Sequence, residues 1–376
     1  MKSYNHLYEK LLDKEYIKSC IYKAAKGKRS RHDVQNILNN IDYHIDQVYH
    51  IMATDSFFMK SHKKAYINES SCKKVREIIR PSFKYETIIQ HMIVGIIQPI
   101  IVRKLYQYAC ASIPDKGSIY GKKRLELFIK RNKSRKLYVL KFDIRKFFEH
   151  IDRSILLSKL KKIIRDKRFI GLLSRLIYFD DVQIGIPLGF YSSQWFANLY
   201  LTEFDFYVKQ TLHAPFYMRY MDDIVIVASN KRALHSMKRQ IESFLTNNLH
   251  LTMKADWQIY LLWNVDKSTN QRHGRFVDYM GFKFYNNRTT LRKSTLYRIR
   301  LKANKIAKTH RLNKKINWYV SAQMISKMGW LYHCKTYKYY MTYLKPKVNV
   351  HGMRRQVSNH SKHINLLTKG LINHAA

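Results

Sequence analysis

The chain has 376 residues, with 70 Lys+Arg against 26 Asp+Glu, a formal net charge of +44 and an isoelectric point near 10.1. Charge of this size opposes compaction by self-repulsion and points to a polyanionic partner. With 46 % apolar residues, 14 % aromatics and only 12 Gly and 6 Pro, the composition excludes a disordered basic tail and a collagen-like or low-complexity chain. At about 150 residues per domain, two or three structural units are expected.

Cys20, Cys72, Cys110 and Cys334 stand far apart without a C-x-x-C pair, which reads as a reduced, intracellular chain. The first residues carry no apolar signal region. The longest apolar run, Met92 to Val102, is short and contains Gln98 and Pro99, so a bilayer span is not expected. The expectation is a soluble, cytoplasmic protein that faces nucleic acid.

From the N-terminus to about residue 65 the chain reads as polar and helical, interrupted by the basic run 26–31 and resuming through Val34, Ile37, Leu38, Ile41, Ile45 and Val48. A second helix is predicted from Tyr85 to Ala109, after the break at Pro81. Residues 113–118 form a turn, and Gly121 to Arg131 a basic amphipathic helix. Leu137 to Phe142 is rich in strand formers and ends at Asp143. Asp152 is placed to cap a helix running through Ile155, Leu156, Leu160 and Ile163. Residues 195–212 read as helix, 216–220 and 224–228 as two apolar strands, 231–249 as helix, and 277–285 as a strand or tight hairpin. From Leu291 the chain is basic and helical, with a polar tail from about residue 350.

Asp222 and Asp223 sit between the two apolar strands. Adjacent carboxylates repel unless a cation neutralises them, although Asp is also a common turn former. Asp143 ends a third apolar strand. If the strands are neighbours, three carboxylates converge where hard divalent cations bind.

The segment Phe216-Tyr217-Met218-Arg219-Tyr220-Met221-Asp222-Asp223-Ile224-Val225 resembles the signature hairpin of reverse transcriptases. Leu140 to Phe148 resembles the first carboxylate motif of that family. Gly185 to Gln194 resembles its template- and nucleotide-contacting motif, and Met280-Gly281-Phe282-Lys283-Phe284-Tyr285 its primer grip. The resemblance covers roughly residues 70–345, and four motifs in the family's order make it specific.

The resemblance implies an α+β right-hand polymerase. Its parts would be an N-terminal helical extension (1–64), fingers (65–136), a palm with an antiparallel sheet and helices (137–288), a helical thumb (289–348) and a basic polar tail (349–376). It implies RNA-templated addition of dNTPs to a primer 3′-OH with two Mg²⁺ ions, for which Mn²⁺ can substitute. The metals would be held by Asp143, Asp222, Asp223 and the main-chain oxygen of Ile144. Lys254 would lie near the leaving pyrophosphate, where a solvated surface lysine is the plainer alternative. Phe148 would block a ribose 2′-OH, while Phe147 packs in the core because neighbours on a strand end point oppositely. Gly189 would let the backbone approach nucleotide and template. Leu188, Ser193 and Gln194 belong to the same nucleotide- and template-binding motif. Lys74, Arg76, Arg80 and Lys116 are candidates for gripping phosphates, with generic attraction the alternative. Met280, Gly281 and Phe282 would form the primer grip.

Many family members read Gln-Gly-x-x-x-Ser-Pro in the middle motif, whereas here Leu188 replaces the Gln and Gln194 the Pro. That variant resembles the bacterial and phage enzymes of diversity-generating retroelements, as does the run Tyr22 to Arg29. This subtype implies error-prone copying of a template-repeat RNA, assisted by a small basic accessory protein. A phage-defence reverse transcriptase making cDNA from a structured non-coding RNA is the serious alternative. A catalytically idle RNA-binding protein is a remote one, disfavoured because a binder does better without like charges buried together.

Overall fold

Cap residues and apolar spacing account for the first helices. In the computed structural model, which describes residues 3–60, 64–69, 74–180, 182–265, 271–312 and 314–373, these are α1 (Lys14–Ala25), α2 (His32–Asn39) and α3 (Ile41–Ala53). Asp13 caps α1 by accepting from the amides of Glu15 and Tyr16. Lys26 to Arg31, the expected basic interruption, is a turn between α1 and α2. Cys72 lies outside the described residues; Cys20, Cys110 and Cys334 are free thiols.

A hairpin follows that the periodicity did not reveal: β1 (Lys64–Glu69) and β2 (Lys74–Ile79) pair antiparallel, with Lys64 opposite Ile79. Helix α4 (Ile88–Val102) begins after a π turn at Phe83–Thr87 and stops seven residues before the predicted end. The remainder is taken by sheet pairing instead, because Arg219 N–H donates to the Tyr108 carbonyl and Cys110 N–H to the Arg219 carbonyl. By length and composition alone, Phe83–Val102 could cross a membrane, a longer run than the sequence reading allowed. Its apolar side chains, Ile88, Ile89, Met92, Ile93, Ile97 and Ile101 among them, are buried in the protein core.

The chain then runs through α5 (Ser118–Arg131), β3 (Tyr138–Asp143), α6 (Arg153–Ile163) and α7 (Lys167–Ile177). Asp152 caps α6 as predicted, accepting from the amides of Ser154 and Ile155. Helix α7 has no counterpart among the predicted elements; Asp166 caps it and also accepts from the amides of Leu7 and Tyr8. The predicted helix 195–212 is three pieces, α8 (Ser193–Tyr200), α9 (Thr202–Phe206) and a π turn (Tyr207–Thr211), bent at Leu201. Strands β4 (Phe216–Tyr220) and β5 (Asp223–Ala228) precede α10 (Lys231–Leu249), whose limits match the sequence reading.

Beyond β6 (Gln258–Leu261) come the short pair β7 (Asn264–Val265) and β8 (Arg272–His273), then a meander of β9 (Val277–Tyr279), β10 (Phe282–Phe284) and β11 (Thr289–Leu291). Helices α11 (Lys293–Arg311), α12 (Trp318–Gly329), α13 (Tyr337–Tyr343) and α14 (Val350–Asn373) complete the chain. The segment read as a polar tail is therefore helical. It packs on α12 through a Trp318–His360 ring stack at 3.8 Å and a hydrogen bond from Ser321 to Gln356.

These elements divide into two units. The first holds Met1–Gly117 and Tyr138–Ile259, and one continuous apolar core runs through it from Leu7 to Met253. Its sheet is built on antiparallel β4–β5 and β3–β5 pairs. The second holds Ser118–Leu137 and Tyr260–Ala376, including the β9–β10–β11 meander and the C-terminal helices. The fold class is α+β with antiparallel sheets, as expected.

Candidate active site

Strand β5 (Asp-Ile-Val-Ile-Val-Ala) is apolar without alternation because it is the inner strand between β3 and β4, and Ile224 to Val227 are fully buried. Tyr220 pairs with Asp223 across the β4–β5 hairpin, which leaves only Met221 and Asp222 in the turn. Met221 takes a left-handed conformation there, φ 59°. On the other side of β5, Asp143 at the end of β3 lies directly opposite Asp223. Chain-local reading could not place β3 beside the hairpin; the sheet register does.

The backbone then ties the three carboxylate positions together. Ile144 N–H donates to the Asp222 carbonyl (3.2 Å), Lys254 N–H to the Asp143 carbonyl (2.9 Å) and Arg145 N–H to the Thr252 carbonyl (2.9 Å). Asp143 and Asp222 open onto a cavity of about 690 Å³, of a size for a small-molecule ligand. Asp223 does not line it and instead pairs with Lys141 at 3.6 Å. Adjacent residues at a strand end diverge, so Asp222 faces the cavity and its neighbour faces the sheet.

The charges are frustrated. Burial pushes the Asp222 carboxyl above its ordinary value, and the charge of Asp143 pushes it further. Burial likewise raises Asp223 to about 7, against the pull of Lys141 and with help from Asp143 and Asp222. Among the described residues no group of three His, Cys, Asp or Glu side chains is placed to hold one ion. Two carboxylates do converge, and Mg²⁺ characteristically takes one or two carboxylates plus substrate phosphates. The donor set of Asp143, Asp222 and the Ile144 main-chain oxygen therefore fits that ion, and a cation there would relieve the repulsion.

Of the other residues singled out in the sequence, Ile144, Phe148, Leu188, Arg76 and Lys254 all line the same cavity. Lys254 Nζ lies 3.9 Å from Asp143 and also pairs with Asp256. Phe148 is half-buried and packs edge-to-face on buried Phe147, centroids 5.6 Å apart. The two rings differ in burial because Phe147–Glu149 is a single 3₁₀ turn, not because a strand alternates. Gly189 abuts Ile79 at the end of β2. Buried Ser193 donates to the Pro187 carbonyl (2.6 Å) and supports the Leu188 turn, while Gln194 is exposed on α8 outside the cavity.

Arg80 is exposed just past β2, and the Lys74 side chain lies outside the described residues. Lys116 is occupied elsewhere: its ammonium donates to the Gln107 carbonyl (2.9 Å), and burial lowers its pKa. Met280, Gly281 and Phe282 belong to the second unit. Met280 (φ 50°) and Gly281 (φ 87°) form the β9–β10 turn, and Phe282 is wholly buried against Trp330.

Sequence reading missed Glu77, Ile79, Arg145, Lys146 and Glu149 in the cavity wall. It also missed the support behind the β4–β5 hairpin. Arg219, wholly buried in β4, forks onto Asp205 with two contacts of 2.8 Å. Its third nitrogen donates to Asn198 Oδ1 (3.2 Å) and to the Met221 carbonyl (3.3 Å), one residue from Asp222. Tyr217 O–H donates to the same Asp205 (2.6 Å). The available signal was an arginine within an otherwise apolar strand, which requires a buried partner.

The family model described as "Reverse transcriptase (RNA-dependent DNA polymerase)" matches residues 61–284. Among curated proteins no significant sequence match is found. Similar solved structures include apo telomerase from Candida tropicalis truncated of its C-terminal domain, at 14 % identity and TM-score 0.46, covering 61 % of this chain and 55 % of that one. Telomerase from Candida tropicalis with a fragment of telomeric RNA matches at 11 % identity and TM-score 0.48, covering 80 % and 58 %. This chain thus spans little more than half the length of those chains. The family match contains β3 with Asp143, the turn at Leu188–Gly189 and the β4–β5 hairpin with Asp222, and the chain belongs to the reverse transcriptase (RNA-dependent DNA polymerase) family.

Proposed function

We propose that the chain copies RNA into DNA, adding dNTPs to a primer 3′-OH and releasing pyrophosphate. The observation that carries this reading is the convergence of Asp143 and Asp222 on one cavity whose wall also holds Arg76, Lys254 and Phe148. Asp143, Asp222 and the Ile144 carbonyl would hold Mg²⁺, whose chemistry when bound is to acidify the primer hydroxyl and neutralise triphosphate charge. Arg76 and Lys254 provide cationic contacts for phosphates, Phe148 excludes a ribose 2′-OH, and Asp223, paired with Lys141, backs the site. The fingers, palm and thumb limits implied by the resemblance divide the labour: fingers close on the nucleotide, palm carries the carboxylates, thumb and basic surface hold the RNA–DNA duplex. The net charge of +44 suits that polyanion.

The Leu188/Gln194 form of the middle motif favours a diversity-generating retroelement enzyme of bacterial or phage origin, acting in the cytoplasm with a small basic accessory protein. Leu188 lines the cavity, where an apolar side chain in place of an amide removes hydrogen bonding near the nucleotide and loosens selection. Primer extension on an RNA template with dNTPs and Mg²⁺, followed by product sequencing, tests both levels. Extension is expected from the wild type, supplied with accessory protein and native RNA if needed, and not from Asp222→Ala. Errors clustered at template adenines support the retroelement reading; an even spectrum favours the defence-associated alternative. No extension under any of these conditions overturns the polymerase reading.

A further inference from the structure

The sequence reading gave Gly189 a single reason for being glycine, close approach of a ligand. The structure places a different group there. Gly189 has φ 110°, a conformation side chains rarely adopt, and a Cβ built on it would lie 2.1 Å from the carbonyl oxygen of Ile79. Beside that contact, Ile79 N–H donates to the Leu188 carbonyl at 2.8 Å. The last residue of β2 is thus seated on the Leu188–Gly189 turn, backbone against backbone. That amide is spent on the turn rather than on the β1–β2 ladder. Val75, Arg76, Glu77 and Ile79 of β2 line the same cavity as Leu188, Asp143 and Asp222.

We infer that the Leu188–Gly189 turn is the docking point of the β1–β2 hairpin, and that Gly189 and the Ile79 amide are positioning residues that set how closely Arg76 stands over the carboxylates. The inference rests on the reading of the cavity as the nucleotide site for its catalytic consequence, but the docking stands without it. The hairpin is largely exposed over the described residues of both its strands. Among its own contacts are a surface ion pair of Lys64 with Glu77 and exposed Tyr66, Ile67 and Val75, which supply little burial. The turn therefore converts a two-stranded ribbon, marginal by itself, into a fixed wall. Any Cβ at position 189 must push the end of β2 away by roughly 1 Å to reach an ordinary contact distance. A displacement of that order at a positioning group is enough to cost up to about a hundredfold in kcat/KM.

Two variants reach the contact from opposite sides. Gly189→Ala adds the Cβ; Ile79→Pro removes the amide donor and leaves the turn unaltered. Both should expose the β2 segment in hydrogen exchange: the Ile79 amide should be at least tenfold less protected in Gly189→Ala than in the wild type, and in Ile79→Pro, which has no amide at that position, the neighbouring β2 amides should lose protection by a similar factor. Both should raise KM for dNTP about tenfold or more and lower kcat much less. Free exchange of the Ile79 amide in the wild type would overturn the docking, whether or not the chain proves to be a polymerase. Loss of activity in Gly189→Ala with an unaltered Ile79→Pro would overturn it too, returning Gly189 to a direct ligand contact. Protection lost in both variants of a chain that shows no polymerase activity would uphold the docking and fail only the nucleotide reading.

Discussion

Replacing Arg219 by Met strips a buried carboxylate of its partner. Asp205 would keep the Tyr217 hydroxyl and lose both 2.8 Å contacts to the guanidinium, while Asn198 Oδ1 and the Met221 carbonyl would lose a donor each. Arg219 and Asp205 are 1 % and 0 % exposed at their side chains, so water cannot substitute. Removing one member of such a pair costs about 3–5 kcal/mol. At about 2–4 °C per kcal/mol for a unit of this size, Tm should fall by roughly 6–20 °C. Replacing the set by apolar groups of similar shape, as Arg219→Met/Asp205→Leu/Tyr217→Phe, should recover at least half of that loss, because no charge is left stranded. Activity should not recover with stability. The Met221 carbonyl still lacks its donor, and the left-handed turn that presents Asp222 is less firmly held, so kcat stays low while KM changes little. Thermal unfolding followed by circular dichroism, with steady-state extension on the same preparations, measures both. A single variant within about 1 kcal/mol of wild type, or a triple variant as unstable as the single, would refute the argument from stranded charge.

The remaining expectations concern the site itself. Asp223 titrates at about 7 in the folded chain against an ordinary 3.8, so between those values the folded state holds a proton that the unfolded state has released. This group's effect on stability is therefore most favourable below about pH 4 and declines as pH rises toward 7, by an order of a few kcal/mol. Asp223→Asn should flatten that part of the Tm–pH profile measured in EDTA; parallel profiles would show that Asp223 is not the group responsible. Phe148→Ala opens the half-buried face of the cavity, so the preference for dNTP over rNTP should fall by about tenfold or more with KM for dNTP little changed. Competitive incorporation of the two nucleotides checks it, and unchanged discrimination would assign the ring to packing alone.

Helices and caps were legible where the signal was local. The cap at Asp152, the helix Lys231–Leu249 and the strands around Asp222 each follow from spacing within a dozen residues. The family was legible for the same reason, because its motifs are short and in order. Elements whose definition lies elsewhere in the chain were not. The β1–β2 hairpin is seated on the turn at Leu188, more than a hundred residues on, and residues 103–109 leave their helix because β4 offers pairing. The tail became a helix because α12 gives its polar sequence a surface to stack on.

The sequence by itself determined that this is a basic, aromatic-rich chain with three carboxylates at strand ends, because charge and strand propensity are properties of residue types. Only the tertiary structure decided that two of the three share a cavity while Asp223 turns to Lys141, that Arg219 is anchored on Asp205, and that Gly189 answers to the carbonyl of Ile79. Each of those depends on which backbone lies beside which, and side-chain types along one chain carry no record of that.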